Sequence, residues 1–337
     1  MTLAAGATSE RSGASIRKPL RWLLSRLAGL VFVLWAAATI TFFAIRLIPG
    51  DPAQAILGGP GSQASAEALA QARESYGLDQ PLMVQYLRQL GRYATGDFGS
   101  SYALHDSVAN IIAGQLGGTL VLAVWALLIA WLMALALATW STRGGRAAWA
   151  MGSGLEIVAA AIPHFWLGTV LILLFSLSLG WLPAIDVPGP LGLILPVATL
   201  AVPLAGFLGQ VMRESLLDAL SSPFVLSARA RGESERGVLW RHALRHAALP
   251  AISLSGWAFG SLISGAVVVE TVFARPGLGR TLLRAVQDRD VPLVTGIVIV
   301  VALAYCVVTI VADLLDRLAD PRLRTARHST ALPGRRS

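Results

Sequence analysis

The stretch "SARARGESERGVLWRHALRHAALP" fills residues 227–250, between apolar runs at about 191–212 and 249–269. It holds five arginines and a central glycine, Gly232. A plain connection between two membrane helices needs neither, so the stretch reads as a working part. Just before it, Ser222 and Pro223 suit a helix N-cap and first turn. Phe224 to Arg231 continue as a short helix, Gly232 interrupts it, and the chain from Ser234 resumes a helix that runs into Pro250 and the next apolar run. The expectation is a helix–turn–helix lying at the membrane surface. Ala228 and Ala230 leave little bulk, so a partner surface could approach, and Gly232 permits a bend that other residues resist. From Arg213 to His246 six arginines mingle with four acids. That gives a hydrogen-bonding surface instead of a one-sign lipid patch. The plainer alternative is an amphipathic stretch resting on anionic lipid.

Working outward, the apolar runs repeat. Nineteen uncharged residues separate Arg26 from Arg46, enough to cross about 30 Å of hydrocarbon as a helix. Further runs follow at about 116–140, 157–179, 191–212, 249–269 and 291–312. The fold class is therefore an all-α polytopic membrane protein with six spans. Composition agrees: 55% of the 337 residues are hydrophobic and 14% charged, against about 25% charged in soluble domains. A cleavable signal peptide competes for the first run, but that run is too long and its leader too extended.

The basic residues orient the spans. If the N-terminus lies inside, the inner segments hold nineteen of the 27 Lys and Arg residues. Positive residues are retained on the cytoplasmic side, so both termini are expected there. The high pI then reflects topology and calls for no nucleic acid. Residues 1–20 read as a mobile leader, 21–115 as the first helix plus an extracytoplasmic lobe, 116–316 as a five-helix core with the loop at 221–248, and 317–337 as a tail. In the lobe, one helix is expected from a Ser65 cap to about Tyr76, closed by Gly77. A second starts near Pro81, with Met83, Leu87 and Leu90 along one face. Pro163 should kink the third span within "AIPHFWLG" and free a carbonyl.

What the spans lack narrows the function. An ion-coupled carrier needs ionisable groups inside the bilayer, and His164 is the one such group in the expected cores. Glu156, Arg213, Glu270 and Asp313 fall at or near the expected span ends. A Walker A loop needs a lysine at the phosphates, and the sole lysine, Lys18, sits in "RKP". Any ATP-Mg must therefore be bound by another polypeptide, and this chain binds no cofactor of its own. The lone Cys306 excludes a disulfide framework within the chain. A polytopic hydrolase would need G-x-S-x-G or H-E-x-x-H, and neither occurs. His242 and His246 have the spacing of zinc ligands, but Ala243 follows the first and no third ligand is in sight.

Six ordered blocks carry a resemblance. They are "FFAIRLIPGDPA", "YGLDQPLMVQYLRQLGRYATGDFGSSY", "IPHFWLG", "ARARGESERGVLWRHALRHAALP", "GAVVVETVFARPGLGR" and "DLLDRLADPRLR". Together they resemble permeases of ABC importers, in the form of the dipeptide/oligopeptide/nickel group and most closely its B subunit, over roughly residues 21 to 324. The resemblance implies a type I importer permease fold, a bacterial inner membrane as its setting and a non-enzymatic, channel-forming role. Two ATP-binding subunits would lie beneath, a second homologous permease beside, and an extracytoplasmic solute-binding protein would deliver a peptide, nickel or a related small solute.

The basic stretch then becomes the loop that couples to the ATPase. Phe224, Ala228, Arg229, Ala230, Gly232, Arg236 and Pro250 are its expected residues, with Ala228, Arg229, Gly232 and Pro250 on motif positions. The archetypal loop opens Glu-Ala-Ala, and no glutamate stands there in this chain. Two residues are candidates for the pathway or gate. His164 would touch cargo or bond the carbonyl freed by Pro163; Glu270 would line an outer gate or a helix end, or be solvated at the interface.

Overall fold

The computed structural model describes residues 14–47, 50–57 and 63–319. The expected leader and tail fall largely outside these residues. Where they are described, Ala14 already opens the first helix, earlier than the expected boundary at residue 21. Among the described residues there are helices and one antiparallel bridge between Ser100 and Ser107, but no strand.

Helix α1 (Ala14–Arg46) is the first span. Three short helices build the lobe: α2 (Pro52–Ile56), α3 (Ala66–Ser75) and α4 (Leu82–Ala94). Ser65 caps α3 by accepting from the Ala68 N–H, and Gly77 follows it at φ +63°. Both features match the expectation, because a serine oxygen meets an orphan N–H and glycine alone turns left-handed without strain. The second lobe helix also lies where expected, and Met83 and Leu87 on it are exposed. It is held by Tyr86, which accepts from Trp35 Nε1 at 3.0 Å and lies 2.9 Å from the Thr39 hydroxyl, both on α1.

Helix α5 (Val108–Arg143) follows, then α6 (Gly145–Ala161) and α7 (His164–Leu171), the last extended by a π-helical segment to Ser178. The expected third span at 157–179 is thus a broken pair bent by 103°, and the other five spans are continuous helices. Pro163 does more than kink the chain. It lacks an N–H and clashes with a helical residue before it, so Ile162 turns extended at ψ 125° and α6 stops.

Helix α8 (Leu191–Leu220) is the most enclosed span, with Pro196 and Pro203 inside it. Ala123, Ala126, Ala130, Ala134 and Ala138 of α5 are buried in the core cluster that α8 shares. Four-residue spacing puts Ala126, Ala130, Ala134 and Ala138 on one stripe, and small residues let membrane helices pack at backbone distance. Against α6 the approach is closer still. A Cβ on Gly206 would meet Ala160 N and Glu156 O at 2.6 Å.

Glu156 and Arg213, expected near the span ends, meet inside the helix bundle. Glu156 is fully buried and accepts from Arg213 Nε at 2.7 Å, with Arg213 only 7% exposed. The two are 57 residues apart, so each looks like a span-end charge until the helices pack. Neither charge can stay in such a site without the other.

After α8 come α9 (Pro223–Ala230), α10 (Glu235–Gly237), a π-helical turn over Val238–Ala243, and α11 (Leu244–Val272). The chain ends its described part with α12 (Leu278–Gln287) and α13 (Val291–Ala319). On the lobe side, Arg275 pairs with Asp186, and Asp290 accepts from the Ser101 hydroxyl and the Ala103 N–H. These bonds knit the connections into a cap over the bundle. Replacing Glu156 alone by Leu should cost about 3–5 kcal/mol, because it strands a buried guanidinium. The double change Glu156→Leu with Arg213→Met should recover most of the loss, read as the unfolding temperature of the purified complex.

Candidate functional site

Helix α9 hangs from α8 by a two-residue turn, Ser221–Ser222. Its inner face is apolar: Val225 and Ala228 are fully buried with Val238 in a small cluster of their own. Ala228 is therefore small so that α9 can lie against its own chain. The expectation that this alanine clears space for a partner is corrected, and only Ala230 among the two is exposed.

The helix ends in a Schellman motif. Gly232 N–H donates to Arg229 O and Glu233 N–H to Ala228 O, with Gly232 at φ +81°. That left-handed geometry favours glycine at this position. No atom would crowd a Cβ there, so the demand is on the backbone alone. Ser234 then caps the returning helix by accepting from Gly237 N–H.

Polar ties lock the elbow. Arg229 binds Glu235 through Nε at 2.9 Å and Nη2 at 3.0 Å, a two-pronged grip that favours arginine over lysine. Its hydrogen bonds to the Glu235 carboxylate raise the Arg229 guanidinium above its already high value, so it stays charged at any physiological pH. Glu233 reaches His242 at 2.8 Å and Arg241 at 3.7 Å, and the Phe224 ring lies 4.7 Å from that of His246. Below, Leu239, Ala243 and Ala247 pack on Leu216 and Ala219 of α8. The elbow is thus one body with the end of α8.

What it shows outward is unusual for a polar connection. Leu226 is 57% exposed and Phe224 39%, beside the exposed Arg229, Ala230, Arg231 and Arg236. Pro250 does not join them, since it lies inside α11. The continuous helix from Glu235 through Val272 bears out the resumed helix that the sequence suggested.

The two pathway candidates separate. His164 opens α7 with its ring against Gly265 of α11. Among the described residues it makes no hydrogen bond, so the bond to a carbonyl freed by Pro163 is absent. Glu270 is fully buried and accepts from the Thr119 hydroxyl and, at 3.0 Å, from Arg280 N–H. It therefore meets the positive N-terminal end of α12, and is not solvated. Helix α12 itself was unforeseen. Leu278, Leu282 and Ala285 repeat at helical spacing inside "RPGLGRTLLRAVQ", a signal masked by the turn residues ahead of it.

Residues 126–325 match the binding-protein-dependent transport system inner membrane component family, and residues 19–123 match the N-terminal part of the same membrane component. The chain belongs to this family. It is similar to the glutathione transport system permease protein GsiC of Salmonella paratyphi A, with 36% identity over 311 residues, 90% of this chain and 99% of the relative. The protein of the same name from Escherichia coli K12 is 34% identical over the same shares. Among solved structures, the MetNI methionine ABC transporter in an inward-facing form matches with a TM-score of 0.54 and 15% identity, over 62% of this chain and 96% of that one. That match is one of fold. The chain is thus the permease subunit of an ABC importer in the inner membrane, and ATP hydrolysis lies in separate subunits. Membership implies ATP-binding subunits, a second permease and a binding protein in general.

In this permease, Gly232→Asn should keep the elbow, because asparagine tolerates the left-handed region, whereas Gly232→Val should open it at a cost of about 1–2 kcal/mol. Trypsin cleavage after Arg231 or Arg236 should accelerate in the valine variant alone; equal rates would refute the backbone account.

Proposed function

We propose that α9 of this permease is the lever through which partner ATPases drive transport. The exposed pair Phe224 and Leu226 carries the reading. Exposed apolar side chains on a basic, water-facing loop mark a protein interface, and the buried side of α9 is already tied to α8. An incoming groove would cover Phe224 and Leu226, with Arg229, Ala230 and Arg236 at its rim. Motion of the seated helix would pass into α8 through the Leu216–Leu239 contact instead of being absorbed in a slack loop.

In this proposal two ATP-binding subunits hold ATP-Mg, a second, homologous permease completes the pathway, and an extracytoplasmic binding protein hands over the solute. The loop and both termini face the cytoplasm, as the arginine distribution supports. The permease binds no cofactor itself. Its cargo is a peptide, nickel or a related small solute, and the glutathione transporters among its relatives favour the peptide-like end of that range.

Purification through this chain should bring down ATPase chains bearing a Walker A lysine. Leu226→Asp should lower solute-stimulated ATP hydrolysis at least about tenfold while the chain still reaches the membrane. Normal transport by that variant, or a chain that transports with no ATPase attached, would end the proposal.

A further inference from the structure

The lobe holds a second polar site, unrelated to the lever. A cleft of about 80 Å³ opens where the end of α1 meets α4 and the turn before α5. Arg46, Arg88, Arg92, Tyr76, Gln89 and Tyr102 line it. Three arginines and one acid, Asp97, thus line one small space, and the pairing of the arginines is incomplete. Arg92 is matched by Asp97 at 2.8 Å. Arg46 and Arg88 have no acidic partner among the described residues. Asp290, the other acid close by, is already occupied by Ser101, Ala103 N–H and Leu293 N–H.

Arg46 is the sharper anomaly. Its Nε is buried with no hydrogen-bond partner, and its guanidinium folds back over the Phe42 ring, 4.3 Å from the centroid. A buried cationic donor left unmade costs several times what a formed bond contributes. An arginine closing a helix end would ordinarily reach the last carbonyls, and this one does not. The Tyr102 phenol adds a neutral donor, since burial first and the nearby Asp290 second push its pKa up to about 12.

We propose that this cleft binds a single anionic group, a carboxylate or a phosphate, with Arg46 and Arg88 as its charged donors. Size limits the ligand. One water needs roughly 10–15 Å³ by the same measure, so the cleft takes several such groups. That suits one carboxylate or phosphate and is too small for a peptide. The group can arrive on a free small anion or on a lipid headgroup, since Arg46 closes the first span at the interface where headgroup phosphates lie.

The test uses the whole transporter complex in phosphatidylcholine nanodiscs, with the nucleotide sites filled by a non-hydrolysable ATP analogue. Labelled inorganic phosphate is titrated into wild type, Arg46→Gln, Arg46→Lys and Arg88→Gln. A second arm adds phosphatidylglycerol and counts retained lipid by native mass spectrometry. A free-anion site gives saturable phosphate binding that weakens at least about tenfold in both glutamine variants and less in Arg46→Lys. A headgroup site gives no phosphate binding but loss of retained phosphatidylglycerol in the same variants. If Arg46→Gln fails to assemble, the exposed Arg88→Gln carries the comparison. Equal binding of both probes by wild type and variants overturns the proposal.

Discussion

The arrangement depends on how close α8 can come to its neighbours. Its Gly206 leaves no room for a side chain against the α6 backbone, and the alanines of α5 leave little against its other side. In lipid there is no hydrophobic drive to push helices together, so contact must come from close packing and polar bonds. Small residues supply the first, and Glu156 with Arg213 supplies the second. The pair is not ideal: one oxygen of Glu156 is buried with no hydrogen-bond partner. An ion pair of that kind adds little net stability, but it tolerates one arrangement of the two helices and penalises slippage.

From that seam the rest follows in order. Helix α8 ends at Leu220, α9 begins at Pro223, and the returning helix packs back on α8 through Leu239 and Ala243. The elbow therefore has few ways to move except with α8. On the lobe side the same economy applies to Glu270, which joins α5 through Thr119 and α12 through the Arg280 N–H. Glu156 and Glu270 thus act as fasteners, one near each end of the helices. Neither needs to touch a solute to be required.

Much of this was legible. Uncharged runs marked the spans because burying unpaired backbone in lipid leaves only helices. Ser65, Gly77 and Gly232 marked helix ends because capping and left-handed turns are local chemistry, whereas Ser222 stands at the start of α9 with its hydroxyl bonded back to Ala219 O and caps nothing. The loop's helix–turn–helix could be read for the same reason. Three things could not. The break at Ile162 was visible as a proline, but its 103° angle depends on what α7 packs against. The inward face of Ala228 depends on Val238, ten residues on. Helix α12 was hidden because its short amphipathic repeat follows directly on the turn residues Pro276 and Gly277.

Sequence by itself determined which long segments are helical and apolar enough to cross a bilayer, and where the elbow bends, since composition and capping act over a few residues. Tertiary structure alone decided that Glu156 and Arg213 meet, that Glu270 is a fastener, that Phe224 and Leu226 face outward, and that Arg46 and Arg88 open on a common cleft. Those facts are set by packing between helices tens of residues apart in the chain, and distance along the chain carries no information about it.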